Sequence, residues 1–373
     1  MANPKIIALY LPQFHCIPEN DEFWGKGFTD WTTVKNAKPI FDGHIQPKVP
    51  LNNNYYDLSY ETNVLWQAKL AREYGVYGFG VYHYWFNNDK NLLTRPAEIM
   101  RDSKDLGLKY FFIWDNCNWK RSWSNVPGNE WAPAAENSAM KGSDPIILIP
   151  YILGGMEDWR NHYNYVRQHF LSDNYEKINN KPIFGIIWDS KEIREMCLYW
   201  DILAKEDGFD GIFFVFKYNK FKSYPDWANV YHYQPHDESI WKTNWPIRIK
   251  NKIKRIFRAK EITRAKYYNY DLVWMNILGQ AKKDVSSNIF HGAFVDYDDS
   301  PRRGATKAYI FEGATPEKFE KYFCELYKIS QAQDKEYIFL TAWNEWGEGA
   351  YLEPDKLWGD KYLRALTNVI QSK

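Results

Sequence analysis

Glu345 and Glu348 stand three residues apart where the apolar run Tyr337-Ile338-Phe339-Leu340-Thr341-Ala342-Trp343 gives way to Asn344-Glu345-Trp346-Gly347-Glu348-Gly349. Such a run reads as a buried strand, and its abrupt polar end delivers both carboxylates onto a loop where Gly347 and Gly349 permit tight turns. Two carboxyl groups among indoles suit the cleavage of glycosidic bonds. Apolar walls raise one pKa so that this group can donate a proton, while its partner stays ionised. A strand end with solvated glutamates is the plainer alternative, but the company of Trp343, Asn344 and Trp346 argues for chemistry.

Positioning the pair falls to a series of short apolar runs spread along the chain. Strands are expected at Ile6 to Leu11, Gly78 to Tyr84, Tyr110 to Trp114, Ile146 to Ile152, Pro182 to Trp188, Gly211 to Phe216, Val230 to Tyr233, Ile289 to Val295 and Tyr337 to Trp343. Helical periodicity falls between them at Val64 to Tyr74, Trp159 to Phe170, Lys191 to Glu206 and Pro316 to Gln331, the last opening on a Thr315 cap followed by proline. Eight or nine strands alternating with helices predict an α/β fold: a single (β/α)8 TIM barrel with loop insertions, occupying residues 1–373. In such a barrel the chemistry sits at the C-terminal ends of the strands. Polar and aromatic clusters recur there: Tyr10, Gln13 and His15, then Tyr82-His83-Tyr84-Trp85, Trp114 to Trp119 with Arg121 and Trp123, Tyr233 to His236, and Asp296 to Arg303. No GxGxxG or GxxxxGK[ST] sequence follows any strand, which argues against a dinucleotide or P-loop site.

The composition is compatible with a neutral, ring-stacking ligand. Net charge is +1 over 373 residues, so whole-chain electrostatics recommend neither nucleic acid nor a strongly acidic partner. Aromatics reach 18 %, with 18 Trp and 28 Tyr, many beside Asn, Asp and His, a mixture suited to sugars whose C–H faces stack on rings. The cysteines Cys16, Cys117, Cys197 and Cys324 are scattered without metal-binding spacing and read as reduced thiols. No apolar run is long enough to span a bilayer, and the first residues enter a strand without a signal-peptide pattern, so a cytoplasmic protein is expected. From Lys242 to Lys266 ten basic residues face one acid, Glu261. Ile249, Ile253, Ile256 and Phe257 share one helical face there, so 242–266 reads as a basic amphipathic insertion. It is either packed by its apolar stripe or in peripheral contact with a membrane or an anionic glycan.

Several segments resemble the WbsX-type proteins: Ile7 to His15, Trp24-Gly25-Lys26-Gly27-Phe28-Thr29-Asp30-Trp31, Tyr77 to Phe79 with Tyr82 to Phe86, Ser300-Pro301-Arg302-Arg303 and Thr341 to Gly349. That family is similar to family-99 glycoside hydrolases, the endo-α-mannosidases, and is often labelled glycosyltransferase because its members occur in O-antigen and capsule clusters. The resemblance implies that Glu345 takes a proton from a sugar 2-hydroxyl to give a 1,2-anhydro intermediate and that Glu348 is the general acid/base. The residues alone leave the reverse order open. It further implies a sugar-binding shell of Tyr10, His15, Trp31, His83, Tyr84, Trp85, Asn116, Asn118, Trp119, Arg121, His236, Asp298, Arg302, Trp343, Asn344 and Trp346.

Two departures bear on that transfer. Relatives usually read Trp-Ala-Asn-Glu-Asn-Trp where this chain has Trp114-Asp115-Asn116-Cys117-Asn118-Trp119, so a glutamate's role is lost or has moved to Asp115. Relatives also read Trp-Asp-Asn-Thr-Pro-Arg-Arg where this chain has Tyr297 to Arg303. The extra acid, Asp299, is expected to alter substrate choice, toward a cationic sugar. The expected function is endo cleavage of an internal α-linkage in a bacterial surface polysaccharide or its precursor, retaining, acting on an oligo- or polysaccharide and using no cofactor or metal. The rivals are a glycosyltransferase, with Asp298 and Asp299 beside Arg302 and Arg303 holding a metal and phosphates, and a non-catalytic glycan-binding protein.

Overall fold

The computed structural model describes residues 3–120, 147–239 and 265–372, so Arg121, Trp123 and nearly all of the basic stretch 242–266 lie outside the described residues. Eight parallel strands close on themselves: β1 (Lys5–Tyr10), β2 (Gly78–Asn87), β3 (Lys109–Trp114), β4 (Lys181–Ile186), β5 (Phe213–Lys217), β6 (Asn229–Tyr231), β7 (Ile289–Phe294) and β8 (Tyr337–Thr341). Each pairs with its sequence neighbours, and β1 pairs with both β8 (Ile7 beside Phe339) and β2 (Ala8 beside Phe79), which completes a (β/α)8 barrel. Both faces of these strands are covered, hence the unbroken apolar runs such as Ile6-Ile7-Ala8-Leu9 and Phe111-Phe112-Ile113. Rings fill the interior, with Phe111, Tyr231 and Phe290 against Phe339.

One strand expectation is corrected. Ile147–Ile149 is a strand, but it pairs antiparallel with Trp119–Lys120 outside the barrel, so the run at Ile146 to Ile152 belongs to an insertion in the loop after β3. Composition cannot separate the two cases, because a hairpin strand and a short barrel strand present the same apolar run.

Helices wrap the barrel at Glu61–Glu73, Arg95–Asp102, Met156–Phe170, Lys191–Glu206, Tyr270–Ala281, Pro316–Ala332 and Lys361–Gln371. The Thr315 cap forms as expected, its Oγ1 accepting from the Lys318 N–H at 3.3 Å ahead of Pro316. Strand β7 needs Gly292, since a Cβ there would sit 1.9 Å from the His232 carbonyl oxygen. No helix among the described residues is long and apolar enough to cross a membrane.

Candidate active site

At the C-terminal ends of the strands lies a cavity of about 730 Å³. The end of β8 supplies Glu345 and Glu348, with a single 3-10 turn, Trp346–Glu348, between β8 and Gly349 in the left-handed region at φ 60°. Asn344 fixes the start of this turn: its Oδ1 accepts from the Leu11 N–H at 2.7 Å and its Nδ2 donates to the Leu11 carbonyl at 3.0 Å, which clamps the ends of β8 and β1 together.

Arg302 organises the acids. Its Nη1 donates to Glu348 Oε1 at 2.8 Å, Nη2 to Glu345 Oε2 at 3.1 Å and to Asp30 Oδ2 at 3.2 Å, and Nε to Asp30 Oδ1 at 3.3 Å. Asp30 starts the helix Asp30–Asn36, is 1 % exposed, and also accepts from the Gly347 N–H at 3.2 Å. Gly347 is required by this approach, because a Cβ would stand 2.6 Å from Arg302 Nε and 2.7 Å from Asp30 Oδ2. Three carboxylates on one guanidinium leave the cluster short of positive charge, and the deficit falls unequally. Burial, offset in part by Arg302 and reinforced by Glu348 and Asp30, pushes the Glu345 carboxyl up. Burial also opposes ionisation of Glu348, but Arg302, His236 and Arg303 outweigh it and hold that carboxyl below its usual range. Burial alone would weaken Arg302's charge, and Asp30, Glu345 and Glu348 reverse this, so it stays protonated.

The rest of the cavity wall comes from other strand ends: Leu11 and Gln13 after β1, Tyr82 and Tyr84 on β2, Asp115, Cys117, Asn118 and Trp119 after β3, Ile187 and Trp188 after β4, Lys217 on β5, and Tyr233 after β6. Tyr82 reaches Tyr233 hydroxyl to hydroxyl at 3.4 Å across the barrel. Trp188 is 54 % exposed and offers an open indole face. Cys117 Sγ donates to Asp115 Oδ1 at 3.1 Å, so the acid and the thiol of the segment after β3 are bonded to one another. Burial raises the Asp115 carboxyl, with Cys117 and Lys217 opposing.

Of the residues expected in the sugar-binding shell, Tyr84, Asn118, Trp119 and Arg302 line this cavity together with Glu345 and Glu348. Arg121 lies outside the described residues, Asp298 faces a second cavity, and the remainder stand behind this one. Tyr10 donates to Gln67 at 2.6 Å and is buried. His83 meets His162, Nε2 to Nε2, at 2.8 Å, and Trp85 stacks on the same His162 at 4.5 Å, both packed against the helix Met156–Phe170. Asn116 braces the backbone of Trp188 with two bonds, its Nδ2 donating to the carbonyl at 2.7 Å and its Oδ1 accepting from the N–H at 2.8 Å. Trp31 packs on Phe14 and Trp346, Trp343 on Phe79, and His236 lies between Tyr233 and Tyr297. His15 is buried, which lowers its pKa.

Asp298 faces a neighbouring cavity of about 430 Å³. It is held by His44 and the Gln46 amide, both at 2.7 Å, while its own N–H donates to the Glu348 carbonyl at 2.7 Å. Burial pushes its carboxyl up, but His44 and Lys48 outweigh this and bring it to about 2. Asp299 is 1 % exposed, accepts from the Tyr309 N–H at 2.6 Å and pairs with Arg303 at 2.7 Å. The expectation that this extra acid selects a cationic sugar therefore meets a carboxyl turned inward, which burial pushes up to about 8 against the pull of Arg303.

Sequence reasoning passed over three groups. Asp30, quoted only within its segment, is part of the Arg302 cluster. Lys217 and Trp188 end strand runs and face the cavity. Glu353 accepts from Trp346 Nε1 at 2.6 Å, the Tyr56 hydroxyl at 2.7 Å and Gln67 Nε2 at 2.7 Å, and burial raises its pKa to about 7 against those bonds.

Residues 6–366 match the family model described as Glycosyltransferase WbsX. Two relatives described as uncharacterized protein WxcX, from two strains of Xanthomonas campestris pv. campestris, are 26 % and 27 % identical over 96 % of this chain, which spans 48 % of each relative. Among solved structures, a glycoside hydrolase-like protein superposes with a TM-score of 0.60 at 12 % identity, covering 100 % of this chain and 95 % of the other. The GH99 endo-alpha-mannosidase from Bacteroides thetaiotaomicron superposes with a TM-score of 0.54 at 15 % identity, covering 99 % and 96 %. These two likenesses concern the fold.

Proposed function

The chain belongs to the WbsX family, and from that membership and the chemistry of its cavity we propose that it is a carbohydrate-active enzyme that cleaves an α-linkage in a bacterial surface polysaccharide or its precursor. The observation that carries the reading is the Glu345–Arg302–Glu348 arrangement, in which two carboxyls on one guanidinium hold opposite pKa directions beside open aromatic walls. Such a pair carries one proton near neutral pH, which is what one donor and one acceptor need. In the proposed course Glu345 accepts the proton of the sugar 2-hydroxyl as O2 bonds to C1, while Glu348 gives a proton to the departing oxygen. Water then opens the 1,2-anhydro ring with Glu348 as base, Glu345 returns its proton to O2, and the configuration is retained. The resting proton is favoured on Glu345, so this course requires the proton to pass to Glu348 when substrate enters, whereas the reverse order of roles would not.

The transferase reading would use Asp298, Asp299, Arg302 and Arg303 for a metal and phosphates. Their bonds are directed to His44, Gln46, Tyr309, Asp30 and the Glu pair, which argues against it. The test is a time course of oligosaccharide release from the source organism's own surface polysaccharide without nucleotide sugar, comparing the parent with Glu345→Gln and Glu348→Gln. Release by the parent and loss in both variants is expected. Sugar transfer only when nucleotide sugars are supplied would overturn the proposal. An aryl α-glycoside with a good leaving group separates the roles, because it rescues the variant lacking the proton donor, expected to be Glu348→Gln.

A further inference from the structure

The charges around the cavity do not cancel evenly. On the side of β7, β8 and β1, Arg302 is bonded to Asp30, Glu345 and Glu348, and Arg303 is paired with Asp299. On the opposite side, Lys217 closes β5 and turns its ammonium into the cavity, 4.5 Å from the centre of the Tyr233 ring and 5.6 Å from that of Trp188. Among the described residues it makes no ion pair. The acids nearest in charge are engaged elsewhere: Asp237 faces His232 at 3.3 Å and accepts from the Tyr233 N–H at 2.9 Å, and Asp115 accepts from the Cys117 thiol. Burial accordingly weakens the ammonium, and Asp237, Asp115 and Glu348 only partly restore it. A cation held on a rigid strand end, over two aromatic faces and without a carboxylate partner, is a prepared site for an anion that arrives with a stacking ring.

We infer that the cavity recognises a sugar bearing an anionic substituent, a carboxylate or a phosphate ester, with Lys217 as its counter-charge and Trp188 and Tyr233 as its stacking faces. Lys217 is thus a specificity-determining residue, and this inference rests on the reading of the cavity as a glycan site. Whole-chain charge concealed it, since a net +1 says nothing about one uncompensated ammonium among rings.

The experiment is calorimetric binding of methyl α-D-glucuronide, glucose 6-phosphate and neutral methyl α-D-glucoside to the parent, Lys217→Met and Lys217→Arg, with thermal melts confirming that each variant folds. At least one anionic probe should bind the parent about tenfold tighter than the neutral glycoside. Lys217→Met should erase that preference and Lys217→Arg should restore part of it. A preference for the glucuronide alone identifies a uronic acid, and for the phosphate alone a phosphate ester. Equal binding of all three probes, failure of both anions to bind, or a preference that survives Lys217→Met would overturn the inference. Binding involves no turnover, so a parent that prefers the anion yet releases no oligosaccharide contradicts the cleavage reading alone, and the converse result contradicts this one alone.

Discussion

Replacing Arg302 with methionine keeps an unbranched apolar stem and removes the charge that holds three carboxylates. In the parent those acids receive four bonds of 2.8 to 3.3 Å from one guanidinium, with Asp30 1 % and Glu345 3 % exposed. Taking one partner from a buried ion pair costs about 3 to 5 kcal/mol, because the remaining charge is left without compensation. The loss should depend on pH in a defined direction. Without Arg302 burial leaves the Glu345 and Glu348 carboxyls with folded-state pKa values above their unfolded ones, and such a group penalises the fold above the unfolded value, about 4. The penalty fades as acid restores the proton in both states. Urea unfolding of parent and variant should therefore differ by about 3 to 5 kcal/mol at pH 8, and the gap should narrow as pH falls toward 4. A gap under about 1 kcal/mol at pH 8, or one that widens on acidification, would refute the claim that Arg302 is the electrostatic centre of the site.

Three further outcomes are expected. Glu353, with a folded pKa raised to about 7 from the ordinary 4.5, penalises folding increasingly as pH rises from 4.5 to 7, so the stability of Glu353→Gln should fall less than the parent's across that window, and parallel curves would contradict the assignment. Burial and Asp115 push the Cys117 thiol far up, so iodoacetamide at pH 8 should label the exposed Cys16 first by peptide mass mapping, and faster labelling of Cys117 would count against its bond to Asp115. Thr315→Ala should cost about 1 kcal/mol by removing the cap of the helix Pro316–Ala332, and Thr315→Ser should cost only a fraction of that in the same urea titration.

The barrel was legible because strands covered on both faces spell continuous apolar runs, and helices with one buried stripe spell the other period. The error at Ile146 to Ile152 arose where an insertion strand, paired with Trp119–Lys120, wrote the same composition as a barrel strand. The Glu pair was legible for a related reason: it is where β8 leaves the core. Asp30 was not, because it lies 317 positions from the Gly347 N–H it accepts from, and no local period reports a contact that barrel closure creates.

The cluster on β2 shows which part of the illegible remainder was recoverable. Tyr82, His83, Tyr84 and Trp85 read alike as polar aromatics, but successive side chains of a strand point to opposite faces. Tyr82 and Tyr84 line the cavity, whereas His83 and Trp85 turn outward onto His162 and Tyr165 of the covering helix. Alternation alone divides the four into two pairs, and the barrel then decides which pair faces inward. The outward pair has its own requirement: His83 and His162 share one hydrogen bond in a space that burial keeps uncharged, since each pKa is pushed well down. Two imidazoles can share that bond only while at least one keeps a bare nitrogen as acceptor, so their neutrality is a condition of packing. Aromatic and histidine content near a rim is thus evidence of a ligand site only after the strand period has assigned each ring to a face.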